Sequence, residues 1–341
     1  MYLYQKERLS AILNSMIAPF VQILMLLLLL LFVLARSAAY AVTSARALAS
    51  AYHISDIIIS IIIVTGISIL PETLIAVFSA LTNIPQLGLG ALLGSNVADL
   101  TIVLGTLAFA SRLPLKVDRT FIRKDYLFLA LLLLPLILGF TGFYSRLDGL
   151  ILIASSVLFF FFIGRDAHRL TRPASKKAHP IFFPKEIAVF IASLLAMGVA
   201  AYFSVAYARN LAYLAGVHEA LIGLLVIGLG TTLPELIFGV RATRTNHATL
   251  ALGDLLGTVI ADATLVLGII ALIQPFSFNP RIVVVTGIFM LLAGLFAFSL
   301  LRSGRKLTRS EGILLLTFYG TFVIIEFILR DWTPQIILNT P

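Results

Sequence analysis

The sequence has no cysteine and little charge. Without cysteine there is no disulfide framework, no thiolate zinc site and no iron–sulfur cluster. Charged residues make up 12% of the 341 positions and hydrophobic ones 60%, where soluble domains carry about 25% charge. That balance excludes a disordered chain, a coiled coil and an ordinary soluble enzyme, and leaves a polytopic membrane protein. Lys and Arg outnumber Asp and Glu by 25 to 16, but they sit in loops between apolar runs, with no basic stripe interleaved with aromatics. A nucleic-acid partner is therefore not expected. The five histidines (His53, His168, His179, His218, His247) fall in loops or at run ends, which offers no imidazole cluster for a transition metal.

A membrane-crossing helix needs about 20 mostly apolar residues. Ten such runs are present, at 17–35 (extending towards 48), 55–82, 86–110, 126–144, 147–164, 187–215, 219–241, 248–273, 281–301 and 312–330. The first follows Lys6 and Arg8 as a signal peptide would, but its apolar stretch outruns a normal signal core. Of the 25 basic residues, six (Lys6, Arg8, Arg146, Arg209, Arg281, Arg330) fall on one side of a ten-span chain and the rest on the other. The positive-inside rule then places both termini outside and the 165–185 segment in the cytoplasm of a multi-pass cell-membrane protein. That basic, proline-containing segment divides the chain into two five-helix units, 1–164 and 186–341.

The two units contain a repeat. Residues 64–105 align without a gap on 227–268, with 18 of 42 positions identical. The shared core is Leu70-Pro71-Glu72 against Leu233-Pro234-Glu235, followed at equal spacing by Asp99 and Asp262. Apolar helices resemble one another by composition, but matched Pro-Glu and Asp inside apolar runs indicate duplication. Five helices per copy is an odd number, so the second copy is inverted. The expected fold is an all-α polytopic membrane protein of ten transmembrane helices in two inverted five-helix repeats. Such folds place a substrate site at the repeat interface near the bilayer midplane.

A carboxylate at the centre of a membrane helix costs roughly 2.5–3.5 kcal/mol, so Glu72, Asp99, Glu235 and Asp262 together cost on the order of 10 kcal/mol. No matching cluster of Lys or Arg lies in these spans, so cations or protons must neutralise them. Proline removes a helical hydrogen bond and pushes on the carbonyl four residues earlier; Pro71 frees Ile67 and Pro234 frees Gly230. Ser68, Thr231, Ser95 and Thr258 each lie four residues before one of the acids, on its helix face, and Thr232 lies beside Thr231. Each hydroxyl either joins the site or bonds back to its own helix. The all-oxygen set suits calcium and sodium. Gly94 and Gly257 permit close helix approach. Asp254 faces Ala91 in the alignment and breaks the symmetry; it either attracts cations at the site entrance or ends a helix. Asp56 and Glu219 begin spans and read as N-terminal caps, and Glu326 reads as the partner of Arg330 one turn on.

The two copies resemble the α-repeats of the calcium/cation antiporter superfamily, most closely the prokaryotic sodium/calcium exchangers. The family pattern, Gly-Thr-Ser-Leu-Pro-Glu and then Gly-Ser-Asn-x-x-Asn/Asp, is met by Gly230-Thr231-Thr232-Leu233-Pro234-Glu235 with Gly257-Thr258 and Asp262. It is met less fully by Ile67-Ser68-Ile69-Leu70-Pro71-Glu72 with Gly94-Ser95-Asn96 and Asp99. The resemblance implies sodium/calcium antiport by alternating access, with no enzymatic step and no resident cofactor. It implies Glu72 and Glu235 as central ligands, Asp99 and Asp262 flanking them, and hydroxyl oxygens from Ser68, Ser95, Thr231, Thr232 and Thr258. Carbonyls of Thr65 and Gly228 would complete outer ion positions, and the first and sixth helices would slide against the rest, in a monomer. Two departures stand out: Ile69 replaces a usual hydroxyl, and Asp99 stands where an amide is common. They keep proton/calcium or other divalent exchange open. A cation channel is less favoured by the inverted Pro-Glu pair. An intramembrane aspartyl protease built on Asp99 and Asp262 lacks its Tyr-Asp and Gly-x-Gly-Asp contexts.

Overall fold

The computed structural model describes residues 2–51, 65–110, 125–170, 184–245, 248–302 and 308–329. Asp56, His53, His179, His247, Arg330 and most of the 165–185 segment lie outside the described residues. Among the described residues eight helices are long and apolar enough to cross a membrane: Ile17–Ala45, Pro85–Ala110, Arg146–Ile163, Pro184–Ala215, Glu219–Arg244, Ala251–Ile273, Pro280–Ser299 and Arg309–Leu329. Two shorter apolar helices, Thr65–Leu81 and Tyr126–Gly139, complete a set of ten. In chain order these are called the first to the tenth span. Large apolar side chains stand outward along most of them, among them Phe32, Phe161, Leu195 and Ile328, as a lipid-facing surface requires.

The helices differ in detail from the sequence expectation, each time for a local reason. The first helix runs unbroken from Tyr2 to Ala51, because neither Pro19 nor the polar residues past Leu34 supply a stop. The fourth ends at Gly139 and not at 144. Gly142 turns the chain at φ +77°, and Phe143–Tyr144 forms a short strand, β1, antiparallel to β2 at Phe276–Ser277. The buried Tyr144 hydroxyl donates to the Pro135 carbonyl at 2.7 Å, which fixes this corner, and its ring stacks on Phe278 with centroids 4.9 Å apart. Gln86 reaches the Ser277 carbonyl at 2.8 Å and Gln274 reaches Asn83 at 3.2 Å. The connections after the second, fourth and eighth spans are thus tied together on one side, as alternating up-and-down helices demand. Glu326 is buried, accepts from Thr286 of the ninth span at 2.8 Å and lies within electrostatic reach of Arg281; its expected partner Arg330 lies outside the described residues.

Two apolar clusters share the core. One gathers the first and sixth spans (Leu27, Leu31, Ala38, Met197, Ala201, Ala208) with the near faces of the second and seventh. The other holds the remaining spans together around Leu93, Val97, Leu104, Ile260 and Val266. The third and seventh spans cross through glycine. A Cβ on Gly94 would stand 2.1 Å from the Leu224 carbonyl oxygen, and one on Gly90 2.0 Å from that of Ala220. Small residues admit this approach where no hydrophobic force draws helices together.

Crowding against backbone has no cheap relief, so Gly94→Ala should destabilise the protein by about 1–3 kcal/mol. Gly198→Ala, with nothing within 4 Å of the added methyl, should be neutral or mildly stabilising. Melting of the detergent-solubilised variants, followed by loss of the monodisperse peak on size exclusion, compares the two.

Candidate functional site

The second and seventh spans are each interrupted at the residue before Leu-Pro-Glu. Thr65–Ser68 and Gly228–Thr231 are short helical pieces, and the helices resume at Leu70–Leu81 and Leu233–Arg244 with proline in the first turn. Proline lacks the N–H that a helix interior needs but fits a first turn. The break therefore falls where Pro71 and Pro234 put it, and Glu72 and Glu235 occupy the first turns of the resumed helices. There the unpaired N–H groups and the helix dipole favour a negative charge.

The third and eighth spans widen at their acids. Asp99–Val103 and Asp262–Val266 are π-helical turns in matching positions, in which the N–H of Leu104 and of Leu267 reaches back five residues to the carbonyls of Asp99 and Asp262. Within each turn a threonine hydroxyl takes a carbonyl one turn earlier: Thr101 donates to Val97, and Thr264 to Ile260 at 2.6 Å. π-turns inside α-helices are frequent at functional sites. Sequence reasoning missed these; the matched Asp-x-Thr of both repeats was the available signal.

These elements bring all four acids into one buried group, each 2% exposed or less. Glu72 is within electrostatic reach of Asp262 and Asp99, and Glu235 of Glu72; Asp99 faces Glu235 and Asp262. The hydroxyls cross between repeats. Ser68 donates to Glu235 Oε1 at 2.9 Å, while its counterpart Thr231 lies beside the Glu72 carboxylate. Ser95 reaches Asp262 Oδ2 at 3.4 Å and also the Leu92 carbonyl at 3.0 Å. Thr258, the counterpart of Ser95, is fully buried with no hydrogen-bond partner for its hydroxyl. Thr232 bonds back to the Gly228 carbonyl at 2.6 Å, and Thr231 shares that carbonyl at 3.3 Å. The Thr65 carbonyl accepts from the Ile69 N–H at 3.1 Å. Ile69 itself is buried.

One oxygen of each acid is buried without a hydrogen-bond partner: Glu72 Oε2, Asp99 Oδ1, Glu235 Oε2 and Asp262 Oδ1. Among the described residues the only ion pair is the exposed contact of His218 with Glu219 at 3.8 Å. His218 caps that helix by accepting from the Ala220 N–H, and Glu219 lies in its first turn as expected. Four acids with spare oxygens and no basic partner among the described residues make an all-oxygen donor set whose chemistry suits hard cations. Among the described residues no three acidic or imidazole side chains are close enough to grip a single metal ion in this arrangement, so a bound divalent ion would draw the helices further together. Asp254 belongs to this group as well. It lies inside the eighth span, 3% exposed, so it does not end a helix. Its carboxylate accepts from Thr65 at 3.3 Å and from Ser68 at 3.5 Å.

Comparison with known proteins agrees with this architecture. The solved structure of the sodium-calcium exchanger NCX_Mj soaked with sodium and strontium superposes with a TM-score of 0.63 at 21% identity, covering 91% of this chain and 97% of that one. The sodium/calcium exchanger MaX1 of Methanosarcina acetivorans is 24% identical over 348 residues, spanning 90% of this chain and 99% of its own. Inner membrane protein YrbG of Escherichia coli is 29% identical over 252 residues, 70% of this chain and 76% of its own. The family model described as sodium/calcium exchanger protein matches residues 22–164 and 185–328, which between them hold both Pro-Glu helices and both π-turn acids, and the chain belongs to that family.

Proposed function

We propose that this protein exchanges sodium for calcium across a cell membrane by alternating access, at the buried acid group. The observation that carries the reading is the set of four carboxylates, two from each inverted repeat, each with a spare buried oxygen and none with a basic partner among the described residues. Glu72 and Glu235 are the central calcium ligands. Asp99 and Asp262 flank them, and Ser68, Ser95, Thr231, Thr232 and Thr258 add hydroxyl oxygens. Carbonyls of Thr65 and Gly228 complete the outer positions. Both halves of the site lie on one chain, which supports a working monomer.

Exchange follows from electrostatics. A calcium ion, or two or more sodium ions, neutralises most of the acid group; an empty group carries several like charges in a low-dielectric interior. Only the occupied states cross between outward and inward arrangements, so leak is suppressed and the two ions compete for the same oxygens. The division of the core supports the moving parts. The first and sixth spans pack on each other through alanines (Ala38, Ala41, Ala201, Ala208), a smooth surface suited to sliding, in a cluster that also touches the second, third and seventh spans. Leu31 of the first span lies against Gly230, where a Cβ would meet it at 2.5 Å, so motion of that span is felt beside the Thr231–Thr232 hydroxyls. The reading places both termini outside and the 165–185 segment in the cytoplasm.

Proton coupling is the second reading, and the fourth carboxylate, Asp99, favours it. Radioactive calcium uptake into proteoliposomes, loaded with sodium or choline at equal pH, separates the two. Sodium-dependent uptake is expected; uptake that ignores sodium and follows an imposed pH gradient would replace sodium by the proton. Glu72→Gln and Glu235→Gln should each lower uptake to background while the purified protein keeps its elution profile. Near-normal flux in either would remove that residue from the site.

Orientation has a clean test because the chain has no cysteine. Ser277→Cys should react with a membrane-impermeant maleimide on intact cells, and Thr245→Cys only after permeabilisation. The opposite pattern would invert the topology.

A further inference from the structure

The half-helix that carries Glu235 runs on to the membrane edge and ends beside a groove. Ile237, Val240, Arg241 and Arg244 recur at the i, i+3, i+4, i+7 spacing of one helix face. With Leu236 and Thr106 of the third span they line an open groove of about 450 Å³. Gly239, off this face, brings the third span alongside: a Cβ there would meet the Leu107 side chain at 2.9 Å. The lining changes character along the helix. Ile237, 42% exposed, and Val240 are apolar, whereas Arg241 and Arg244 are exposed and occupy the last turn. The span itself ends at Arg244, so both guanidiniums stand where hydrocarbon gives way to headgroups. Neither has an ion-pair or hydrogen-bond partner among the described residues. Basic residues in a last turn answer the helix dipole, but that role needs no groove. The first repeat shows the contrast. At the equivalent positions its stripe reads Leu74, Val77, Phe78 and Leu81, all apolar, and the Phe78 ring stands edge-on to Tyr202 of the sixth span, centroids 5.5 Å apart. The arginine pair therefore belongs to the second repeat alone and not to the motif that builds the acid group.

We propose that this groove holds an anionic phospholipid, its phosphate on Arg241 and Arg244 and an acyl chain against Ile237 and Val240, and that the lipid promotes exchange by steadying the half-helix Leu233–Arg244. The second part rests on the exchange reading above. Arginines three apart on a helix have Cβ atoms about 5–6 Å apart, close enough for one phosphate to meet both, and the planar guanidinium fork bonds phosphate oxygens in pairs. Basic pockets between spanning helices take anionic headgroups for this reason. Charge and shape together select the occupant. A soluble anion would use the arginines and leave the apolar wall uncovered. A zwitterionic lipid would cover the wall, but its phosphate is already balanced by its own ammonium. An anionic lipid answers both halves of the groove. The chain's own continuation from the third span, residues 111–124, carries five basic residues and one acid, Asp118, so it adds positive charge and does not complement the pair. The link to transport is direct along the helix. Glu235 lies in the first turn of the same 12-residue helix, and its neighbour Leu236 is part of the groove wall. A ligand held along this face resists tilting of the helix that presents Glu235.

The chain has one tryptophan, Trp332, so Trp332→Phe with Ile237→Trp places a single fluorescent reporter in the groove. Quenching is measured in phosphatidylcholine vesicles that contain either brominated phosphatidylglycerol or brominated phosphatidylcholine. The brominated phosphatidylglycerol should quench with about tenfold higher relative affinity. Arg241→Gln combined with Arg244→Gln should bring the two lipids level. Arg165→Gln, an exposed arginine just past the fifth span, should leave the preference intact. Arg244→Gln alone, with a partial loss, decides if the double variant does not fold. In protein that keeps Ile237 and Trp332, sodium-driven calcium uptake should be several-fold higher in vesicles containing phosphatidylglycerol than in phosphatidylcholine alone, and the double variant should lack that rise. Equal quenching by the two lipids overturns the proposal, as does a preference that survives the arginine variants or that Arg165→Gln abolishes equally. Absence of quenching by either lipid overturns it too, since protein then fills the groove. So does quenching that inorganic phosphate relieves, which marks a soluble-anion site, and so does uptake indifferent to the added lipid. Failure of the exchange reading shows separately, as uptake that ignores sodium in both kinds of vesicle while the quenching preference persists.

Discussion

The structure depends on one constraint: several carboxylates are held out of water at membrane depth with no basic side chain among the described residues to answer them. Each such group is expensive, and like charges packed together add to the expense. The protein supplies partial compensation from four sources visible in the site. Half-helix N-termini lie under Glu72 and Glu235, hydroxyls reach across the repeat interface, glycines let the backbones close in, and π-turns reposition Asp99 and Asp262. None of these supplies a full positive charge. The remainder of the compensation has to come from mobile ions, and that need converts a structural liability into a transport cycle.

Inverted duplication gives this cycle its symmetry, and the hydrogen bonds show how closely the halves are joined. Ser68 of the first repeat donates to Glu235 of the second, Ser95 of the first reaches Asp262 of the second, and Thr231 of the second lies beside Glu72 of the first. Neither repeat can complete its own acid. A movement that separates the repeats on one side of the membrane therefore loosens both central carboxylates together. The first and sixth spans meet through an alanine-rich contact in a cluster that also takes in faces of the second, third and seventh spans.

Much of this was legible in the sequence. Apolar length set the number of spans, and the Pro-Glu and Asp matches at equal spacing set the inverted repeat and the acid group. What sequence could not show arises from contacts between distant segments. The helix breaks at Ile69 and Thr232 follow from proline, but the π-turns after Ala98 and Ala261 depend on a threonine bonding back to its own helix, which no apolar period reveals. The fourth span reads as long because Phe143 and Tyr144 are apolar, although a turn at Gly142 and pairing with Phe276–Ser277 take them out of the helix. Glu326 reads as a rim residue, whereas packing turns it inward to Thr286, with Arg281 of the same span within electrostatic reach. Thr231 and Thr232 bonded back to Gly228 are the plainest case: at helical spacing a hydroxyl facing the site and one bonded to its own turn look the same in sequence.

Asp254 carries the most information for the same reason. Alignment of the two repeats marks it only as a mismatch with Ala91, a difference that looks like drift. Its surroundings depend on the eighth span crossing the short Thr65–Ser68 helix, where it accepts from the Thr65 and Ser68 hydroxyls. An inverted-repeat transporter need not keep its halves chemically equal. It must keep the sum of charges that its ions neutralise matched in both orientations, and a carboxylate gained on one flank alters that sum on one flank alone.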